Sequence, residues 1–238
     1  YDTQVSFLKS VISSQTELVH LDLLDDSAYS HTFVDDAMFA EIIKLTKLQT
    51  LIISVDGISQ ISGIEGLSEL KDLHLKTNRE KSLAVFKELS ETANNSVERL
   101  TLNLWSFEVP AETYEAFGAN FSNLKYLKIT LGTRHKVNFF AKALPNVEEL
   151  NIKFGEANQP VEFQDAFESD TGITQSTLKK INLKFWGSKE IDQAQFFEML
   201  DMFPSLESLE MNSKFPFSAD FFSALTDKIT NVNFIKIG

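Results

Sequence analysis

The chain contains no cysteine in 238 residues. Disulfides, thiolate zinc sites and cysteine nucleophiles are therefore excluded together, and the lack of thiols agrees with a reducing, cytoplasmic or otherwise intracellular setting. Glycine and proline are sparse, at 9 and 5 residues. No glycine-rich phosphate loop, G-x-S-x-G elbow or H-E-x-x-H pair occurs, so the sequence offers no catalytic residues and calls for no cofactor. No apolar run approaches the roughly 18 residues of a membrane-crossing helix. The first 30 residues also lack the basic-then-apolar layout of a secretory signal.

Positive charge is short as well. Asp and Glu number 34 against 22 Lys and Arg, a formal charge of −12, and Arg79, Arg99 and Arg134 are the only arginines. A nucleic-acid binder would show a basic field rich in arginine with stacking aromatics beside it, so neither nucleic acid nor a membrane is an expected partner. Acid pairs such as Asp25-Asp26 and Asp35-Asp36 lie in polar stretches that suit solvation better than acid–base work.

What the chain has is a repeat. An apolar-x-x-apolar-x-apolar core recurs nine times, beginning at Leu18, Leu48, Leu70, Val97, Leu124, Val147, Leu178, Leu206 and Val232, with steps of 30, 22, 27, 27, 23, 31, 28 and 26 residues. Within it the alternation Leu100, Leu102, Leu104, or Ile181, Leu183, Phe185, is that of a short strand with one buried face. The stretches between carry three- and four-residue apolar steps, as in Leu83, Phe86, Leu89 and in Phe196, Phe197, Leu200, Phe203, which predict amphipathic helices. Pro145 and Pro204 stand where two of these helices must stop. A strand, a helical return and a parallel neighbour cannot bury their apolar faces alone; stacked copies can.

This pattern resembles the leucine-rich-repeat family, whose signature is L-x-x-L-x-L followed by a turn, over residues 18–237. The resemblance implies an α/β solenoid, a curved horseshoe with a parallel concave sheet of about nine strands and helices on the convex side. Residues 1–17 are then an N-terminal capping helix and 18–238 a single repeat domain. Most units resemble the ribonuclease-inhibitor-like, F-box-associated class. The second, with Ile58, Ile61, Ile64 and Leu67 at three-residue steps, resembles the 22-residue class of phosphatase regulators and predicts a tight 3₁₀-like return. The family's asparagine ladder is absent at most ninth positions, which hold Trp105, Gly132, Gly155, Trp186 and Lys214.

In this family the third, fifth and seventh side chains of each unit face the concave surface, where partners bind. Here those positions include seven cations (Lys76, Arg99, Lys128, Lys153, Lys180, Lys184, Lys236) and four anions (Asp22, Asp72, Glu149, Glu210), a local +3 in a chain of −12. The resulting candidates for partner binding are Lys76, Arg99, Tyr126, Lys128, Lys153, Lys180, Asn182 and Lys184, with Trp105 and Trp186 as candidate rim anchors. An acidic protein surface would suit this strip. His20 and His74 lie two strands apart, roughly 10 Å between backbones at about 4.8 Å per strand, so no metal site is expected. The sheet's far end after the ninth strand is a further candidate contact with another chain. The implied role is a non-catalytic protein–protein interaction or scaffold module. Two alternatives are the recognition arm of an F-box-type ubiquitin ligase and a structural subunit of a ciliary or cytoskeletal assembly.

Overall fold

The computed structural model describes residues 2–24, 34–78, 80–104, 109–131, 140, 142–154, 174–185, 193–212, 219–228 and 231–237. All nine repeat cores are strands: β1 (His20–Asp22), β2 (Thr50–Ser54), β3 (Asp72–Lys76), β4 (Arg99–Leu104), β5 (Tyr126–Leu131), β6 (Glu149–Phe154), β7 (Lys180–Phe185), β8 (Ser208–Asn212) and β9 (Phe234–Ile237). They form one parallel sheet in sequence order, each strand hydrogen-bonded to the next. Equivalent motif positions lie in register, so Leu51 faces Leu73, Leu127 faces Leu150 and Ile181 faces Leu209.

Six helices are described: α1 (Asp2–Ser14), α2 (Asp36–Ile42), α3 (Ser82–Glu91), α4 (Ala111–Asn120), α5 (Gln193–Asp201) and α6 (Ala219–Lys228). Neighbouring helices need 8–10 Å between axes, whereas strands need about 4.8 Å. Stacking both in one array therefore curves the sheet away from the helices. Between the layers lies one continuous core, in which the fourth and sixth motif positions from β2 to β8 are buried and an aromatic group joins Phe86, Tyr114, Phe117, Phe121 and Phe140. Burying each leucine of this type contributes about 1.5–3 kcal/mol.

The second unit returns without a helix, through a 3₁₀ turn at Ile64–Gly66 that begins after Gly63 at φ 100°. Its polar backbone is satisfied by the neighbouring helices: Asp36 of α2 accepts from Ser59, Glu88 of α3 accepts from the Ile61 amide, and Lys81 donates to the Ile58 carbonyl. Elsewhere the returns are laced by side-chain amides. Asn120 donates to the Ser90 carbonyl, Asn123 to that of Asn95 and Asn146 to that of Ser122. Thus the inter-repeat carbonyls are met on the return side, although the ninth positions Trp105, Gly132, Gly155, Trp186 and Lys214 lie outside the described residues.

The expected N-terminal helix, α1, is only partly docked by its described side chains. Of its apolar side chains Ile12 is buried and Leu8 packs against the core, but Phe7 is 70% and Val11 39% exposed. At the other end Phe222, Phe234 and Ile235 are also exposed, because nothing described covers β9. Among the described residues no helix is long and apolar enough to cross a membrane.

Candidate functional site

On the face of the sheet opposite the helices, the third, fifth and seventh motif positions form three rows running across the strands. Neighbours within a row lie about 4.8 Å apart at the backbone. All eight concave candidates lie in these rows, on the five adjacent strands β3 to β7. The rim candidates Trp105 and Trp186 lie outside the described residues.

The leading row is internally paired. Arg99 Nε stands 3.7 Å from Asp72 Oδ2, and its guanidinium lies 4.0 Å from the Tyr126 ring centre. Lys180 Nζ lies 3.1 Å from Glu149 Oε1. The order Asp72, Arg99, Tyr126, Glu149, Lys180 thus places each cation beside a carboxylate on the preceding strand or a ring on the next. Partial burial, with Glu149 second, holds the Tyr126 hydroxyl above its usual pKa.

The middle row is paired at its far end. Lys236 Nζ donates to Glu210 Oε1 at 2.7 Å, while Asn182 Nδ2 donates to Oε2 at 2.8 Å. The Lys236 hydrogen bond is the main cause of the lowered Glu210 pKa. Asn182 itself is buried, and its Oδ1 meets no donor among the described residues. Nearer the start, burial and then Lys128 depress the pKa of His74, so this imidazole resists protonation.

The trailing row differs. It runs through Ser54, Lys76, Asn103, Thr130, Lys153, Lys184 and Asn212. Lys153 and Lys184 face one another in register on β6 and β7. The leading and middle rows each hold two cations and two carboxylates, whereas the trailing row holds three lysines and no carboxylate. The entire +3 excess of the concave face therefore sits in one row.

The architecture, with nine successive apolar-x-x-apolar-x-apolar strands in one parallel register, decides the fold. It is a leucine-rich-repeat solenoid. No known protein family's sequence profile matches the chain, and no curated protein matches it either. Among solved structures, an internalin (inlF) from Listeria monocytogenes is similar at 14% identity and a TM-score of 0.48, across 99% of this chain and 68% of that one. A TLR13 structure, described as a complex with ssRNA13, is similar at 16% identity and a TM-score of 0.47, across 94% of this chain and 33% of that one.

Just ahead of the strands, the solenoid carries a feature that the sequence reading passed over. The second motif position reads Lys71, Glu98, Lys125, Glu148, Lys179, Glu207 in successive repeats. Glu98 bridges Lys71 and Lys125 at 3.1 and 3.4 Å, and Lys179 lies 3.7 Å from Glu148. Reading that position down the aligned repeats, instead of along the chain, exposes the alternation. Pockets of about 250 and 230 Å³ open elsewhere, between successive returns. Among the described residues no three His, Asp or Glu side chains are grouped to hold a metal.

Proposed function

We propose that this leucine-rich-repeat solenoid is a non-catalytic interaction module that receives a partner protein on its concave sheet. The observation that carries the reading is the contrast between the two sheet faces. One is sealed into a continuous apolar core, while the other holds three in-register rows of mainly polar side chains with no described element across them. Such a face has a fixed backbone and pre-ordered side-chain rows, so a partner meeting it incurs little ordering cost. Arg99 and Tyr126, stacked on one another at the centre, are of the residue types that dominate binding energy in protein interfaces.

The test is site-specific photo-crosslinking in cells. A photoreactive phenylalanine at Asn151 or Ser208, on the sheet, should capture a discrete protein partner. The same probe at Glu115 or Glu198, on the helices, should not. Equal capture from both faces, or capture from the helices alone, would sink the concave-face reading.

A further inference from the structure

The rows of the concave sheet differ in what they leave unmatched. Lys180, Arg99 and Lys236 have carboxylates within the sheet itself. Lys76 and Lys184 in the trailing row, and Lys128 in the middle row, have no ion pair to a described carboxylate. Lys153 and Lys184 are moreover direct cross-strand neighbours, and like charges so placed disfavour the folded sheet. An anionic segment laid along the row meets both.

We propose that the trailing row, Lys76, Lys153 and Lys184 with Lys128 behind it, is the recognition site for an extended acidic segment of the partner protein. The inference rests on the concave-face reading and names the chemistry of its partner. At physiological salt, charges act over about 8 Å. The sign of this row, and not the −12 of the whole chain, therefore governs what docks on it.

Geometry sets the spacing of the acidic side chains. Lys76 on β3 lies three strands from Lys153 on β6, about 14 Å at about 4.8 Å per strand. An extended peptide rises about 3.4 Å per residue, so carboxylates about four residues apart reach both ends of the row. Asn103 and Thr130, on the two strands between, are placed to hydrogen-bond the peptide backbone. Lys184 takes a second carboxylate beside Lys153. Carboxylate is favoured over nucleic-acid phosphate because the row contains no arginine and its aromatic neighbour, Tyr126, is already stacked by Arg99.

The test uses the intact chain and a fluorescein-labelled Gly/Ser dodecapeptide carrying glutamates about four residues apart, followed by anisotropy at physiological salt. The glutamate peptide should bind, its glutamine counterpart should not, and binding should weaken as salt rises. Lys76→Gln/Lys153→Gln/Lys184→Gln should weaken it about tenfold, as three exposed ion pairs together supply. Lys142→Gln on the helical side should leave it unchanged. Equal binding of the glutamate and glutamine peptides overturns the proposal without any variant being needed. So does an unaffected triple variant that melts like the parent, or stronger binding of a single-stranded oligonucleotide of equal charge, or displacement of the peptide by millimolar inorganic phosphate. Concave crosslinking that persists while the glutamate preference fails would leave the interaction face standing and remove only its acidic specificity.

Discussion

Gly118 marks a close approach between repeats. A Cβ at this position of α4 would lie 1.9 Å from the carbonyl oxygen of Ala143 and 2.6 Å from its carbon. Alanine is ordinarily the better helix former, by about 1 kcal/mol. Here the atom it would strike is backbone, which cannot swing aside as a side chain does, and overpacking costs about 1–3 kcal/mol. A backbone contact of 1.9 Å places the cost at the upper end, about 2–3 kcal/mol, so Gly118→Ala should destabilise by a net 1–2 kcal/mol or so, a fall in Tm of about 2–8 °C for a chain of this size. Thermal unfolding followed by circular dichroism checks this, and an unchanged or higher Tm refutes the close packing. Nothing in the local sequence "AFGAN" announces the contact. It is created by a return from the following repeat, some 25 residues on. The charged residues of the concave face were more legible, because alternation alone assigns Lys153, Lys180 and Lys184 to one side of the sheet. What each meets across the sheet depends on motif position: Lys180 faces Glu149 on the neighbouring strand, and Lys184 faces Lys153.

At the scale of elements, the strands followed directly from the pattern, whereas the docking of the N-terminal helix did not. Nine repetitions of one motif give nine chances to set a boundary, and every motif core is a strand. The tight return of the second unit was equally readable, since Ile58, Ile61, Ile64 and Leu67 can all point inward only at three residues per turn, and all four are buried. Helix α1 has no second copy to check against. Among its described side chains Ile12 is buried and Leu8 partly so, while Phe7 and Val11 are exposed. The short β1, at three residues, offers too little surface to cover the rest. Ile12→Ala should accordingly cost about 2–4 kcal/mol, whereas Phe7→Ser should change stability by no more than about 0.5 kcal/mol. Chemical denaturation of the two variants separates these cases. Comparable losses at both positions would mean that Phe7 is buried in solution.

A stacked array has no contacts between distant repeats, so its stability is a sum of unit terms and nearest-neighbour interfaces. Every interface must therefore contain its own instruction for correct stacking. The apolar core supplies attraction but little register, since leucine faces leucine at each step. The alternating charges ahead of the strands supply sign. Glu98 is the best-defined hub, since it touches lysines of both the preceding and following repeats. Those lysines, Lys71 first, hold its carboxyl below the ordinary glutamate value of 4.5. The folded state thus binds this proton less readily than the unfolded chain does. The stabilisation from Glu98 is complete above that ordinary value and is lost as pH falls through the lowered one. Glu98→Gln should consequently be slightly less stable than the parent near neutral pH. The gap should narrow as pH drops from that ordinary value through the lowered one and also as salt is raised, because both partners are exposed and screened. Glu98→Lys, which sets three like charges on consecutive repeats, should lose more than the glutamine variant at low salt and recover more on salt addition. Paired melting curves over pH and ionic strength measure these gaps directly. A difference between parent and Glu98→Gln that is independent of both would show that the ladder contributes nothing to stacking and that the apolar core alone sets the register.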